Sequence, residues 1–327
     1  MKSVIICAKA FNPFRMCRPH RKGAHMTANR FVPNDKSTQS PITEGLELAT
    51  GPIKYTFLNN YMFISILERN PDILKELVCA LLYLENDESI SVDVLNPITP
   101  ADLPEKKTYI LDIKVMLNGN TLLNLELQVL NYHDYNYRAT QYLCRTYDNI
   151  LRGEAYLSTI PAIHIGFLDY DLFEDEKEFY AHFLIQNVKT GHVFNDRFDI
   201  RIVSMRQVDL ATEKDREYGI DKWVRLFKAT TWENLKMAAT TLNMQNAAEN
   251  LYKSNRNKAE MYYAQAYEDY IRNEERHERI QAQLTATIAD KDATISDQAN
   301  ALAEKDAALA EKDALIARLQ AQLKAKN

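Results

Sequence analysis

The sequence predicts an α/β protein, a mixed sheet flanked by helices, followed by a long helical tail. Three observations carry this. Residues 110–130, ILDIKVMLNGNTLLNLELQVL, alternate apolar and polar residues on both sides of an Asn-Gly turn, the pattern of a half-buried hairpin. Strand-like and helix-like segments then follow one another in mixed rather than strict alternation, which favours a mixed sheet. After Ala247 glycine and proline vanish, as a long continuous helix requires.

In chain order, residues 1–25 carry six Lys/Arg and no acid. Their apolar run VIICA is too short for a signal-peptide core. Residues 1–50 are expected to be a disordered lead-in, with 1–25 an upstream extension from a misplaced start; a basic DNA-binding arm is the alternative. Residues 51–245 are expected to form the globular domain. LNNYMFISILERNPDILKELVCALL predicts a helix, a break at Asn70-Pro71, and a second helix with Asp72 in its first turn. ESISVDVLNPI is strand-like, and the hairpin follows. A helix from about Tyr137 to Arg152 is expected next, ended by Gly153. PAIHIGFLDY, FYAHFLIQNV and FDIRIVSMRQVDL are three further strands, and DKWVRLFKATTWENLKMAAT a helix pair or bent helix.

Residues 246–286 are expected to be a helical linker and 287–327 a coiled-coil tail. Ile288, Ile295, Leu302, Leu309, Ile316 and Leu323 recur every seventh residue, and AEKDAAL and AEKDALI are near-copies. The companion core slot holds Lys305, Asp306, Lys312 or Asp313, and alanines such as Ala303 and Ala310 widen the seam. The pattern predicts a weak oligomerising or partner-binding coil, a dimer where it self-associates. A solvated single helix held by local charge pairs is the alternative.

Composition narrows the function classes. The chain has 327 residues, 46% hydrophobic and 26% charged, with net charge −5: one good core plus appendages. No run of about 18 apolar residues exists, so no membrane-spanning helix is expected. Four scattered cysteines (Cys7, Cys17, Cys79, Cys144) show no metal or disulfide spacing and point to a reducing, cytoplasmic setting. The histidines show no zinc spacing, and His164, within PAIHIGFL, reads as a satisfied core residue. No Gly-rich phosphate loop points to a cofactor enzyme. Mild acidity argues against a broad nucleic-acid footprint and leaves room for a local basic groove.

The hairpin carries the chemistry. A two-residue Asn-Gly loop would pair Leu117 with Asn120; a three-residue loop pairs Leu117 with Thr121 and sets Asp112 opposite Glu126. Only the second register places Leu111, Ile113, Val115 and Leu117 on one face with Leu123, Leu125, Leu127 and Val129, because a one-residue slip would bury half the polar set. Asp112, Glu126 and Gln128 then share the other face, with Lys114 and Asn124. Opposed carboxylates repel, so placed together under a helix they suit a divalent cation. Mg²⁺ takes oxygen ligands from one or two carboxylates plus water and phosphate. A polar face left in water explains the alternation equally well from pattern alone. On the next helix, Arg138, Arg145 and Arg152, with Tyr142, form a stripe suited to a phosphate backbone or to solvent, opposite Ala139, Leu143, Tyr147 and Ile150.

Around these residues the chain resembles the Rpn family of recombination-promoting nucleases, also called PD-(D/E)XK nuclease family transposases. The resemblance rests on LeuAspIleLys at 111–114, AsnLeuGluLeuGln at 124–128, Arg138, Tyr142, Gly153, Tyr156 and Pro161, and covers about residues 54–240. It implies a restriction-endonuclease-like core and Mg²⁺- or Mn²⁺-dependent DNA cleavage. Asp112 and Glu126 would bind the metal, the Leu127 carbonyl would join them, and Gln128 would position the attacking water. Arg138, Tyr142 and Arg145 would face the substrate phosphate. One position departs from the family: its first acid, in AspTyrMetPhe, falls on Asn60, which brings no charge. Two readings therefore stay open: a metal-dependent DNA endonuclease, or a catalytically degenerate nuclease fold that binds DNA or protein and is organised by its coil.

Overall fold

The structure, a computed structural model, describes residues 44–96, 98–99, 109–110 and 112–326. The expectations for residues 1–43 lie outside the described residues. Where description begins, the chain is already structured: a short helix, α1 (Glu44–Glu47), puts the Leu46 side chain into the core with no exposed surface. Residues up to Glu268 form one compact unit and those from Asp269 a second.

The helix-break-helix expectation holds. α2 (Asn60–Arg69) starts at Asn59, whose side chain accepts from the Met62 N–H. α3 (Pro71–Leu82) has Pro71 in its first turn, where a missing N–H costs nothing, and ends at Tyr83 in the left-handed conformation. Then come β1 (Val92–Leu95), the small antiparallel pair β2 (Ile98–Thr99) and β3 (Tyr109–Ile110), and the hairpin β4 (Ile113–Leu117) and β5 (Thr121–Gln128). Next are α4 (Tyr135–Tyr147), β6 (Ala162–Leu168), β7 (Tyr180–Gln186) and β8 (Val193–Ser204). The main sheet runs β1-β4-β5-β6-β8-β7. β1, β4 and β5 pair antiparallel; β5, β6 and β8 pair parallel; β7 returns antiparallel at the edge.

The hairpin adopts the three-residue turn, with Leu117 paired to Thr121. Gly119 takes positive φ (66°), and so does Asn118 (49°). Asn118 is held there by Ser91: its N–H donates to the Ser91 carbonyl at 2.9 Å, and its Oδ1 accepts from the Ser91 N–H at 2.8 Å. Ile113, Val115, Leu117, Leu123, Leu125 and Leu127 all face the main core. There Phe63, Phe167 and Phe227 meet in a three-ring cluster with centroids 5.5–5.7 Å apart, tying α2 and the helix that carries Phe227 to the sheet at β6.

The opposite face of the sheet is not open to water. The β5–β6 crossover lays α4 across it, over a smaller cluster of Tyr135, Ala139, Leu168, Tyr170, Ala181 and Ile202. This is why Asn124 and Glu126 are buried despite their polarity.

The structure corrects two boundaries within the globular domain. α4 ends at Tyr147, not Arg152, so Arg152 and Ile150 leave the helical stripes. The end of FDIRIVSMRQVDL is a 3₁₀ turn, Met205–Leu210. The DKW–AAT segment follows a short α5 (Glu213–Glu217) and is a helix pair, as expected: α6 (Ile220–Phe227) and α7 (Trp232–Ala238). The long helix is also interrupted: α8 (Leu242–Ser254) stops, and α9 runs Lys258–Lys326. The break lies in two asparagines. Asn255 donates to the Tyr55 carbonyl and accepts from the Tyr55 N–H, whereas Asn257 Oδ1 accepts from Ala259 and Glu260 at the start of α9. Ala247, Ala248, Leu251 and Ala264 belong to the main core, so packing continues past residue 245.

In the second unit α9 continues as one helix, and Ile288, Ile295, Leu302, Leu309 and Ile316 are each more than half exposed. Leu323, the last of the series, has no described side-chain surroundings. Among the described residues, no helix is long and apolar enough to cross a membrane.

Candidate active site

Asp112 sits in a bend one residue before β4, so the β4–β5 ladder ends at Ile113 and Leu125. Its side chain continues the pairing that its backbone drops: Oδ2 accepts from the Leu127 N–H at 3.1 Å. The Asn60 amide, in the first turn of α2, also hydrogen-bonds Asp112. One carboxylate thus ties α2 to the β4–β5 edge.

Glu126 lies on β5 beneath α4, 6% exposed. Arg138 reaches down from α4, and its guanidinium meets Glu126 Oε1 at 2.7 Å and the Gln128 side-chain oxygen. The other end of the Gln128 amide donates to the Leu130 carbonyl at 2.8 Å. The sequence pattern puts Arg138 opposite the core stripe; the structure instead places it at the margin of the buried face, bonded to the two hairpin residues. Tyr142 stands edge-on to His164 with centroids 6.1 Å apart, and Arg145, partly exposed, lies in the last turn of α4. Lys114 pairs across the hairpin with Asn124, and its pKa is lowered by burial.

Burial raises the pKa of both carboxylates. The Leu127 N–H and Asn60 oppose the rise at Asp112; Arg138 opposes it at Glu126, while the neighbouring Asp112 charge adds to it. Two acids pushed toward neutrality beside each other want a positive charge, and Arg138 supplies part of it.

Sequence reasoning missed a second layer. His164 on β6 is fully buried, directly across the parallel ladder from Asn124. Asn124 Nδ2 lies 2.9 Å from His164 Nδ1, and the Tyr135 hydroxyl lies 3.0 Å from Nε2. Burial, then the charge of Arg138, hold the His164 pKa far below its ordinary value, so the ring is neutral. A Cβ at Gly166 would fall 1.8 Å from the Tyr135 hydroxyl oxygen, so only glycine lets that ring lie against β6. The signal was present as period two: Ala162, His164, Gly166 and Leu168 share one face of β6, the face of Asn124 and Glu126.

Among the described residues no three His, Cys, Asp or Glu gather as a metal cluster, so any ion would rest on two carboxylates and neutral oxygens. Buried polar atoms without a hydrogen-bond partner include Asn60 Oδ1, Asn124 Oδ1, Glu126 Oε2, Arg138 Nε and Tyr170 Oη, all from residues in or around this site. Unsatisfied buried polar atoms are rare in folded proteins, and five of the eight among the described residues belong to this group. Because a strand sends the N–H and C=O of a residue to the same side, the Leu127 carbonyl points with its N–H toward Asp112. The Gln128 carbonyl points the other way, to Asp169. Two carboxylates, an amide oxygen and a backbone carbonyl form an oxygen donor set, which fits Mg²⁺ or Mn²⁺.

A protein-family model, PD-(D/E)XK nuclease family transposase, matches residues 58–277. The chain belongs to that family. No curated protein and no solved structure matches it. As a PD-(D/E)XK nuclease family transposase, it carries a nuclease-type domain, and the six-stranded mixed sheet with flanking helices is that domain.

Proposed function

We propose that this chain is a divalent-metal-dependent DNA endonuclease. The observation that carries the proposal is the convergence of Asp112 and Glu126, both with raised pKa, on a set of buried and unpartnered polar atoms. A bound Mg²⁺ or Mn²⁺ would supply Lewis acidity and charge for the scissile phosphate. Asp112, Glu126 and the Leu127 carbonyl hold it. The Leu127 N–H and the Asn60 amide fix the Asp112 carboxylate.

Arg138 has a double assignment. In the DNA-free chain it neutralises Glu126 and occupies the Gln128 oxygen. A substrate phosphate is the competing anion, and moving the guanidinium to it frees Glu126 and Gln128 together. Gln128 then orients the attacking water. Tyr142 and Arg145 are assigned to the DNA backbone.

The coil completes the proposal. With Ile and Leu as the seam, Lys291, Lys305 and Lys312 fall on its next core column, flanked by Asp292, Asp306 and Asp313. In a parallel dimer each lysine faces its counterpart and has the partner's aspartate column beside it, which offsets the like charge; an antiparallel pairing would bring the aspartate columns together. A parallel dimer carries two sites, one per DNA strand.

The second reading, a binding module that has lost its chemistry, is favoured by Asn60 alone. Its amide holds Asp112 but adds no charge. Plasmid nicking with Mg²⁺, Mn²⁺, Ca²⁺ or EDTA tests the first reading. If the natural chain is inert and Asn60→Asp cleaves, the second is correct.

A further inference from the structure

Glu126 has two carboxylate oxygens in different surroundings. Oε1 faces the Arg138 guanidinium at 2.7 Å. Oε2 is buried, has no hydrogen-bond partner, and lies 3.4 Å from His164 Nε2. The imidazole is itself tightly placed. Asn124 presents its amide nitrogen to Nδ1, so Nδ1 accepts and the ring proton sits on Nε2. Tyr135 holds the same nitrogen from above at 3.0 Å, its ring seated over Gly166, which is the β6 partner of Glu126. Tyr142 closes the remaining side edge-on.

A neutral N–H fixed beside a buried carboxylate oxygen has a use that a cation lacks. It restrains the rotation of the carboxylate and leaves lone pairs free, and it brings no charge to compete with a metal ion. Outer contacts of this kind orient metal-binding carboxylates, and losing one typically costs roughly 10–100-fold in metal affinity.

We propose that His164 is a positioning residue for Glu126: its Nε2–H, fixed on that nitrogen by Asn124 at Nδ1, orients the carboxylate for a divalent cation. The proposal rests on the metal-dependent reading above. It places in the functional site a histidine whose sequence context suggests only core packing.

The test uses two amide substitutions in the full chain. His164→Gln extends its amide to the position of Nε2 and keeps a donor toward Glu126. His164→Asn reaches only the position of Nδ1 and loses that donor. Mn²⁺ binding to the DNA-free protein is measured by calorimetry, beside thermal unfolding without metal and kcat and KM for plasmid nicking. His164→Gln is expected to bind Mn²⁺ within about threefold of the natural chain, and His164→Asn about 10–100-fold more weakly. In the Asn variant kcat falls at limiting metal, while KM for DNA is unchanged. If both variants lose metal affinity and melting temperature in parallel, His164 is merely structural and the proposal fails. If both are folded and bind Mn²⁺ as the natural chain does, it fails alone, with the metal-dependent reading intact. A natural chain that binds no Mn²⁺ overturns the metal-dependent reading, and this inference with it. Should either variant not fold, Tyr135→Phe gives the same decision. Removing that hydroxyl leaves Nε2–H to Glu126 alone, so affinity is retained if the proposal holds and lost if the network is only structural.

Discussion

Replacing Arg138 with alanine would show how much of the site's charge balance is built into the fold. The guanidinium bridges Glu126, at 2.7 Å, and Gln128, and its side chain is one-quarter exposed. Breaking a fully buried ion pair by removing one partner costs roughly 3–5 kcal/mol, whereas an exposed pair is worth at most about 1. Partial exposure puts the Arg138→Ala loss at about 2–3 kcal/mol when Glu126 is ionised. The sign of its pH dependence follows from the carboxylate. Burial raises the Glu126 pKa and Arg138 holds it down, so the variant retains its Glu126 proton to still higher pH. The folded state then binds more protons than the unfolded state over a wider window, and its stability falls as pH rises through that window. The gap between variant and natural chain is therefore small at about pH 5, where Glu126 is protonated in both, and widens toward about pH 9. Urea unfolding followed by the fluorescence of buried Trp223 reads it directly. A gap equal at both pH values would mean that Arg138 acts through packing. A Glu126→Gln, Arg138→Ala double variant no more stable than Arg138→Ala alone would refute the charge argument outright.

Two further outcomes follow from the geometry. Gly166→Ala should destabilise by about 1–3 kcal/mol in urea unfolding, because its Cβ meets the Tyr135 hydroxyl oxygen at 1.8 Å and the buried ring must shift; an unchanged midpoint would show that the ring moves freely. Truncation at Ala286 removes the exposed Ile and Leu series, whose burial returns roughly 1.5–3 kcal/mol per large side chain, so light scattering should show a dimer becoming a monomer. The same mass per particle before and after would clear the coil of any role in assembly.

Much of the hairpin was legible because its two constraints agree. Alternation fixed which residues face the core, and only a three-residue turn allows both strands to obey it, so Leu117 meets Thr121. The break between α2 and α3 was legible in Asn70-Pro71 for the same local reason. The interruption at 255–257 was not, because Asn255 ends α8 by bonding Tyr55, two hundred residues away in sequence. Arg138 was misplaced because a helical stripe gives direction only relative to its own axis. Whether α4 turns that side to solvent or to β5 depends on how it lies across the sheet. His164 was undervalued because an apolar run hides its period-two face, and its partners come from β5 and α4.

The central claim is that Asp112 and Glu126 act as a pair on a divalent ion to cut DNA. Its most direct test is conversion of supercoiled plasmid by the full chain, titrated with Mg²⁺ and with Mn²⁺, for the natural sequence and for Asp112→Ala. The account predicts nicking that depends on the metal, stops in EDTA, and is abolished by Asp112→Ala while the variant remains folded by circular dichroism. Cleavage that persists unchanged in Asp112→Ala, or that continues in EDTA, would contradict it.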